Sequence, residues 1–98
     1  MTPDAIIRTL RAHEPELKAA GILHLRLFGS AARDQARPGS DVDLMADLDS
    51  SRRLTLLHLV RMQNHLSDLL GAEVDLAPVH AMREPVRRRA LREAIHAF

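Results

Sequence analysis

Hydrophobic and polar positions alternate in three short stretches of the chain, as in strands that bury one face. These stretches run from Ile22 to Phe28, from Asp41 to Leu48 and from Glu73 to Ala77. The residues expected to face the core are Leu23, Leu25 and Leu27 in the first stretch, Val42, Leu44, Ala46 and Leu48 in the second, and Val74 and Leu76 in the third. The pattern therefore predicts a small sheet of three strands.

Apolar residues spaced three and four positions apart predict about four helices around this sheet. Thr2 and Pro3 are typical of a helix start, Pro15 should kink or divide the first helix, and Gly21 should end it. The other helices are expected from Ser30 to about Gln35, from Arg53 to Leu70 behind caps at 49–51, and from Glu84 to Ala97. Residues 1–98 are thus expected to form a single domain of the α+β class, with α/β-type layering.

Two aspartates interrupt the hydrophobic pattern at the start of the second predicted strand. Asp41 and Asp43 are two residues apart, so both side chains point to the same face of an extended segment. Glu73 and Asp75 should project from the third strand toward the same side. Like charges on one face repel one another, and a divalent cation relieves the repulsion. Mg²⁺ prefers such oxygen ligands and is usually shared with the phosphates of a substrate.

The end of the first strand is suited to phosphate. Gly29 allows the backbone to approach a ligand closely, and Ser30 is a favourable cap for the short helix expected there. The free N–H groups at a helix start attract anions. Arg33 could reach a phosphate or simply face solvent, and both readings stay open. The sequence thus places a candidate phosphate site and a candidate metal site at opposite ends of residues 31–40.

This arrangement resembles the signature of the DNA polymerase β-like nucleotidyltransferase superfamily. The segments Phe28–Arg33 and Arg37–Leu44 are most similar to its minimal nucleotidyltransferase (MNT) domains, and a looser resemblance extends over nearly the whole chain. The resemblance implies a nucleotidyltransferase (polymerase β-like) fold, with ATP as substrate. It also implies two Mg²⁺ ions at a catalytic and metal-binding triad, with a set of nucleotide-binding residues beside it. The triad is Asp41, Asp43 and Asp75, and the nucleotide-binding residues are Gly29, Ser30, Arg33 and Ser40.

MNT domains are often the antitoxin half of a toxin–antitoxin pair with a HEPN-type protein. The resemblance therefore implies an adenylyltransferase that moves AMP from ATP to a hydroxyl of a HEPN-type partner. Two other hypotheses remain: a non-catalytic antitoxin that neutralises its partner by occlusion, and a nucleotidyltransferase subunit acting on a nucleic acid or a small molecule. Asp34 stands where the family commonly has glycine, which raises the question of whether nucleotide affinity is reduced.

Charge and composition distinguish only slightly between these functional hypotheses. The net charge is +1, yet arginines are concentrated near the end of the chain, at positions 83, 87, 88, 89 and 92. They could form a solvated helix face, or contact a partner or a nucleic acid. The chain has no Trp or Tyr, which disfavours a dedicated binder of single-stranded nucleic acid, and no Cys. We expect neither a signal peptide nor a membrane-spanning run, and therefore a cytoplasmic location. The six histidines form no evident cluster, and Met45 is expected to pack.

Overall fold

A four-stranded mixed sheet forms the centre of the computed structural model, which describes residues 2–35, 37 and 39–98. The strand order is β3-β2-β1-β4; β2 and β3 are parallel, whereas β1 is antiparallel to both β2 and β4. Within the described ranges, no helix is both long and apolar enough to cross a membrane. The elements are α1 (Pro3–Ala12), α2 (Glu14–Ala19), β1 (Ile22–Phe28), β2 (Val42–Leu48), α3 (Leu56–Leu70), β3 (Val74–Pro78), a 3₁₀ turn (Val79–Ala81), α4 (Glu84–Glu93) and β4 (Ile95–His96).

The first two helices follow the predicted pattern. The Thr2 hydroxyl accepts a hydrogen bond from the Ala5 amide at 3.2 Å, and Pro3 occupies the first turn. The helical stretch is divided at His13, two residues before Pro15, because proline has no N–H and is tolerated only in the first turn of a new helix.

One face of the sheet packs with α1, α2 and α3 into the hydrophobic core. All predicted inward residues of β2 and β3 contribute, as do Leu25 and Leu27 of β1. Met45 and Ala90 are also buried but lie outside this cluster, so the expectation that Met45 packs is confirmed. Buried residues contributed by the three helices are Ile6, Ile7, Leu10, Leu17, Met62, Leu66 and Leu70.

Leu23 does not face the core, contrary to the prediction from alternation. The register between β1 and β2 shifts between Ile22 and His24, as in a β-bulge, so the side-chain phase reverses there. Ile22 is therefore fully buried, whereas Leu23 is 41% exposed.

The C-terminal segment corrects the predicted strand count. The last helix ends at Glu93 rather than Ala97, and Ile95–His96 pair with Leu27 and Arg26 as a fourth strand. The Ala97 amide donates to the Leu25 carbonyl at 2.9 Å, and Arg11 Nε donates to the Ala97 carbonyl at 2.7 Å. Pairing with the open edge of β1 satisfies backbone groups that a continued helix would leave unpaired.

Two further boundaries differ from the predicted ones. Residues 30–34 form consecutive turns and not a helix. Helix α3 begins at Leu56, three residues later than predicted, behind a capping box formed by Thr55 and His58. Asp49 instead closes a local turn by accepting from the Ser51 amide at 3.0 Å. Gly71 ends α3 in a left-handed conformation, as predicted.

Candidate active site

Two of the predicted carboxylates lie side by side on neighbouring strands. Asp43 of β2 and Asp75 of β3 are register partners in the parallel pair, so their side chains leave the same face of the sheet. Asp41 precedes β2 by one residue and is exposed, as is Asp75, whereas Asp43 is partly buried. The structure therefore groups Asp43 with Asp75 and places Asp41 beside them, at the same end of β2.

The surroundings of Asp43 disfavour its charged form. Burial raises its pKa above the ordinary value of 3.8, and the neighbouring charges of Asp75 and Asp41 raise it further. Arg33 acts in the opposite direction. By contrast Asp47, farther along the strand, accepts a hydrogen bond from Arg26 Nη1 at 3.2 Å. Asp43 thus lacks the ion pair that Asp47 has.

Gly29 provides the space that Asp43 occupies. It follows Phe28, the register partner of Asp43, and has a left-handed backbone with φ of +74°. A Cβ added there would lie 2.3 Å from Asp43 Oδ2, closer than real Cβ atoms come to their neighbours. Glycine is therefore required here for its backbone and for its missing side chain.

The predicted nucleotide-binding loop is built from turns, which removes the helix N-terminus as a reason for anion binding. The carbonyl of Ser30 accepts from the amides of Arg33 at 3.2 Å and Gln35 at 2.8 Å. The Ser40 hydroxyl accepts from the Arg37 amide at 3.1 Å and so closes the far end of the loop. Pro38, part of the predicted loop, lies outside the described residues.

Asp34 has a left-handed backbone, with φ of +55°. Aspartate tolerates this conformation better than most residues, and glycine adopts it without cost. This geometry gives a backbone reason for glycine at the equivalent family position, separate from the charge of Asp34.

Arg33 is held by neighbours on two sides. Its Nε donates to Gln35 Oε1 at 3.2 Å, and its Nη1 donates to Glu93 Oε2 at 3.2 Å. Glu93 is the last residue of α4, and the adjoining β4 fixes its position relative to β1. The guanidinium thus lies near the carboxylates, where it lowers the pKa of Asp43, and is paired with a protein carboxylate.

The carboxylates suit a divalent cation, although they do not form a complete metal site by themselves. In the described part of the chain, no three His, Asp or Glu side chains are arranged to hold a metal ion together. Mg²⁺ nevertheless prefers oxygen ligands, and it would relieve the repulsion between Asp43 and the neighbouring carboxylates. Gly29 leaves open the space that Asp43 occupies. Asp43 and Asp75 would supply ligands, and phosphates and water would complete the coordination shell.

The chain matches the nucleotidyltransferase domain family over residues 10–96, and it belongs to that family. Protein adenylyltransferase MntA of Thermococcus cleftensis is 31% identical over 97 residues, which cover 98% of this chain and 96% of that protein. A Methanocaldococcus jannaschii protein provisionally named a protein adenylyltransferase is 33% identical over 93 residues, covering 94% and 93%. The prediction of a nucleotidyltransferase enzyme is confirmed.

Solved structures show the same architecture. A structure described as a minimal nucleotidyltransferase has a TM-score of 0.82 at 34% identity, covering 97% of this chain and 95% of that one. A toxin–antitoxin complex with AMP-PNP has a TM-score of 0.71 at 18% identity, with coverage of 100% and 73%. A complex of an AMPylated Shewanella oneidensis HEPN toxin with an MNT antitoxin has a TM-score of 0.67 at 14% identity, with coverage of 94% and 71%. The minimal nucleotidyltransferase fold is confirmed, with one strand more than predicted.

Sequence reasoning missed Glu93, because it contacts Arg33 across 60 residues of chain and no local motif marks it. It also missed the histidine pairs. His13 and His65 both hydrogen-bond to Glu16, which lowers the pKa of that carboxyl, and the rings of His24 and His96 lie 6.0 Å apart. These are pairwise tertiary contacts, and among the described residues no three His, Asp or Glu side chains are placed to hold a metal ion.

Proposed function

We propose that this chain transfers AMP from ATP to a hydroxyl group of a partner protein, with Mg²⁺ as cofactor, and that the partner is a HEPN-type toxin. The observation that carries the proposal is the pair Asp43 and Asp75, held in register beside Gly29 at the end of β1. The family, the names of the relatives and the toxin–antitoxin complexes of the same fold support it.

In the proposed reaction, the acceptor oxygen forms a bond to the α-phosphorus of ATP. The bond from that phosphorus to the β-phosphate bridging oxygen breaks, and pyrophosphate leaves. Asp75 is exposed and can accept the proton lost by the hydroxyl, and it would also hold the cations together with Asp43 and Asp41. Bound Mg²⁺ would supply charge stabilisation for the nucleotide and its leaving group. Gly29, Ser30, Arg33 and Ser40 would line the phosphate site.

The proposal is tested with the double variant Asp41→Ala/Asp43→Ala. The purified chain, ATP, Mg²⁺ and a candidate HEPN-type partner protein are mixed, and the mass and activity of the partner are measured. We expect wild type to add AMP to the partner, and the variant to lose roughly a thousandfold or more in rate. The comparison is made at matched complex formation.

The same measurement separates the proposal from occlusion. If the chain acts by occlusion, the double variant would still neutralise the partner fully. No AMP would then be found on the partner with either the wild type or the variant. That result would refute AMP transfer and leave a binding module. Transfer of AMP to RNA or to a small molecule, with none on the partner, would instead identify a different acceptor.

A further inference from the structure

A large cleft lies at the end of β2 opposite the carboxylates. It has a volume of about 810 Å³ and is bounded by the 47–56 segment, α3, the 3₁₀ turn and α4. Asp47 lines the cleft and lies four positions after Asp43 along β2, a distance of about 13 Å. The cleft is thus distinct from the candidate active site. Its apolar lining includes Leu48, Leu54, Leu56, Leu59, Met62 and Leu91.

Two of the lining leucines are exposed to solvent. Leu56, at the first position of α3, is 75% exposed, and Leu91 on α4 is 41% exposed. Single exposed leucines are ordinary, but apolar side chains gathered around one concave site mark a binding surface. The cleft therefore has an apolar surface whose burial by a partner would be favourable.

The cleft lining carries two aspartates and two arginines, and one of the arginines is left without an ion-pair partner among the described residues. Its two aspartates are already satisfied, Asp47 by Arg26 and Asp49 by Ser51 and Arg52. Arg87 also lines the cleft, and among the described residues no carboxylate lies within ion-pair distance of it. An acidic side chain of a bound segment is the electrostatic complement of Arg87.

We propose that the cleft binds an amphipathic helix of the partner protein, with apolar side chains in the cleft and acidic ones toward α4. A helix laid in an apolar groove is a common mode of protein recognition. The mostly aliphatic lining favours a protein over nucleic acid, because His80 is its only aromatic residue and it has no Phe, Tyr or Trp ring on which a base could stack. The proposal rests on the HEPN-type partner of the proposed function, but not on AMP transfer.

The experiment uses Leu56→Asp, with Leu57→Asp as a matched control. Leu57 is the next residue of the same helix and is 58% exposed, but it does not line the cleft. Affinity for the HEPN-type partner that wild type modifies is measured for both variants and for Arg87→Glu. We expect Leu56→Asp to weaken binding about tenfold or more, because it buries a charge in the interface, while Leu57→Asp binds as wild type. Arg87→Glu should weaken binding most at low salt. Both leucine positions are exposed, so the melting temperatures should stay close to wild type.

Further measurements keep the two proposals apart. Asp43→Ala should bind the partner as wild type while failing to transfer AMP, and Leu56→Asp should regain transfer at high partner concentration. Equal binding by Leu56→Asp and wild type would overturn the docking proposal, as would failure of wild type to bind. A short random RNA is tested in the same way. If wild type binds it and Leu56→Asp weakens that binding as much as it weakens binding of the partner, the cleft would be assigned to nucleic acid. A changed oligomeric state of Leu56→Asp alone would assign it to a second copy of the chain.

Discussion

Replacing Gly29 by alanine tests how closely the catalytic proposal depends on one missing side chain. The new Cβ would lie 2.3 Å from Asp43 Oδ2, and restoring an ordinary 3.4 Å contact requires the carboxylate to move by about 1 Å. A displacement of that size at reacting groups costs about a hundredfold in rate, or about 2.7 kcal/mol in the activation barrier. The left-handed backbone adds a stability cost of about 1–2 kcal/mol, because alanine avoids positive φ.

Gly71→Ala is the matched control for this experiment. Gly71 has a similar backbone, with φ of +65°, but nothing lies within 4 Å of a Cβ placed there. Both variants should therefore lose a comparable amount of stability in thermal unfolding, and only Gly29→Ala should lose AMP transfer and Mn²⁺ affinity. Rates are followed with labelled ATP and the HEPN-type partner. Equal rates for the two variants would show that Asp43 need not keep its position.

Three further predictions follow from the charges of the site. Because the pKa of Asp43 is raised on folding, its carboxyl stabilises the fold below pH about 3.8 and loses that contribution as pH rises through the folded pKa. Asp43→Asn should therefore unfold at a higher temperature than wild type at pH 7 without metal, with the advantage shrinking toward pH 3.8; an advantage independent of pH would contradict this. Mn²⁺ should raise the melting temperature of wild type more than that of Asp43→Asn, and more with ATP present, because ligands stabilise the state that binds them. Glu93→Gln should tighten ATP binding by roughly threefold, since it frees Arg33 from an exposed ion pair that is worth under about 1 kcal/mol. Glu84→Gln, which frees Arg88 on the same helix, is the control and should leave the affinity for ATP unchanged.

The parts of the fold that follow from local chemistry could be predicted from the sequence. Alternation in 41–48 places Asp43 on one face and Leu44 on the other, because a strand has a period of two residues. Pro15 and Gly71 mark helix boundaries through restrictions on the backbone. These effects are contained within a few residues, so no tertiary contact is needed to predict them.

The missed features depend on contacts between distant segments. Ile95 continues the apolar spacing of α4, and only the free edge of β1 makes the extended conformation more favourable. The phase of Leu23 depends on a bulge formed against β2. In the candidate site, the family signature identifies Asp43 and Gly29 as neighbours in function, but their steric contact follows from the register of β1 and β2.

The pairing of Asp47 with Arg26 has a consequence for how this domain could evolve. Two aspartates on one face of β2 differ in their counterions: Asp47 has one built into β1, whereas Asp43 has none of that kind. Phe28 is the register partner of Asp43, so an arginine at that position would give Asp43 a resident counterion. One substitution could then exchange the proposed metal site for an internal ion pair. The opposite end of the strand, with its cleft, would be untouched. A descendant of this domain could thus lose catalysis and still bind its partner.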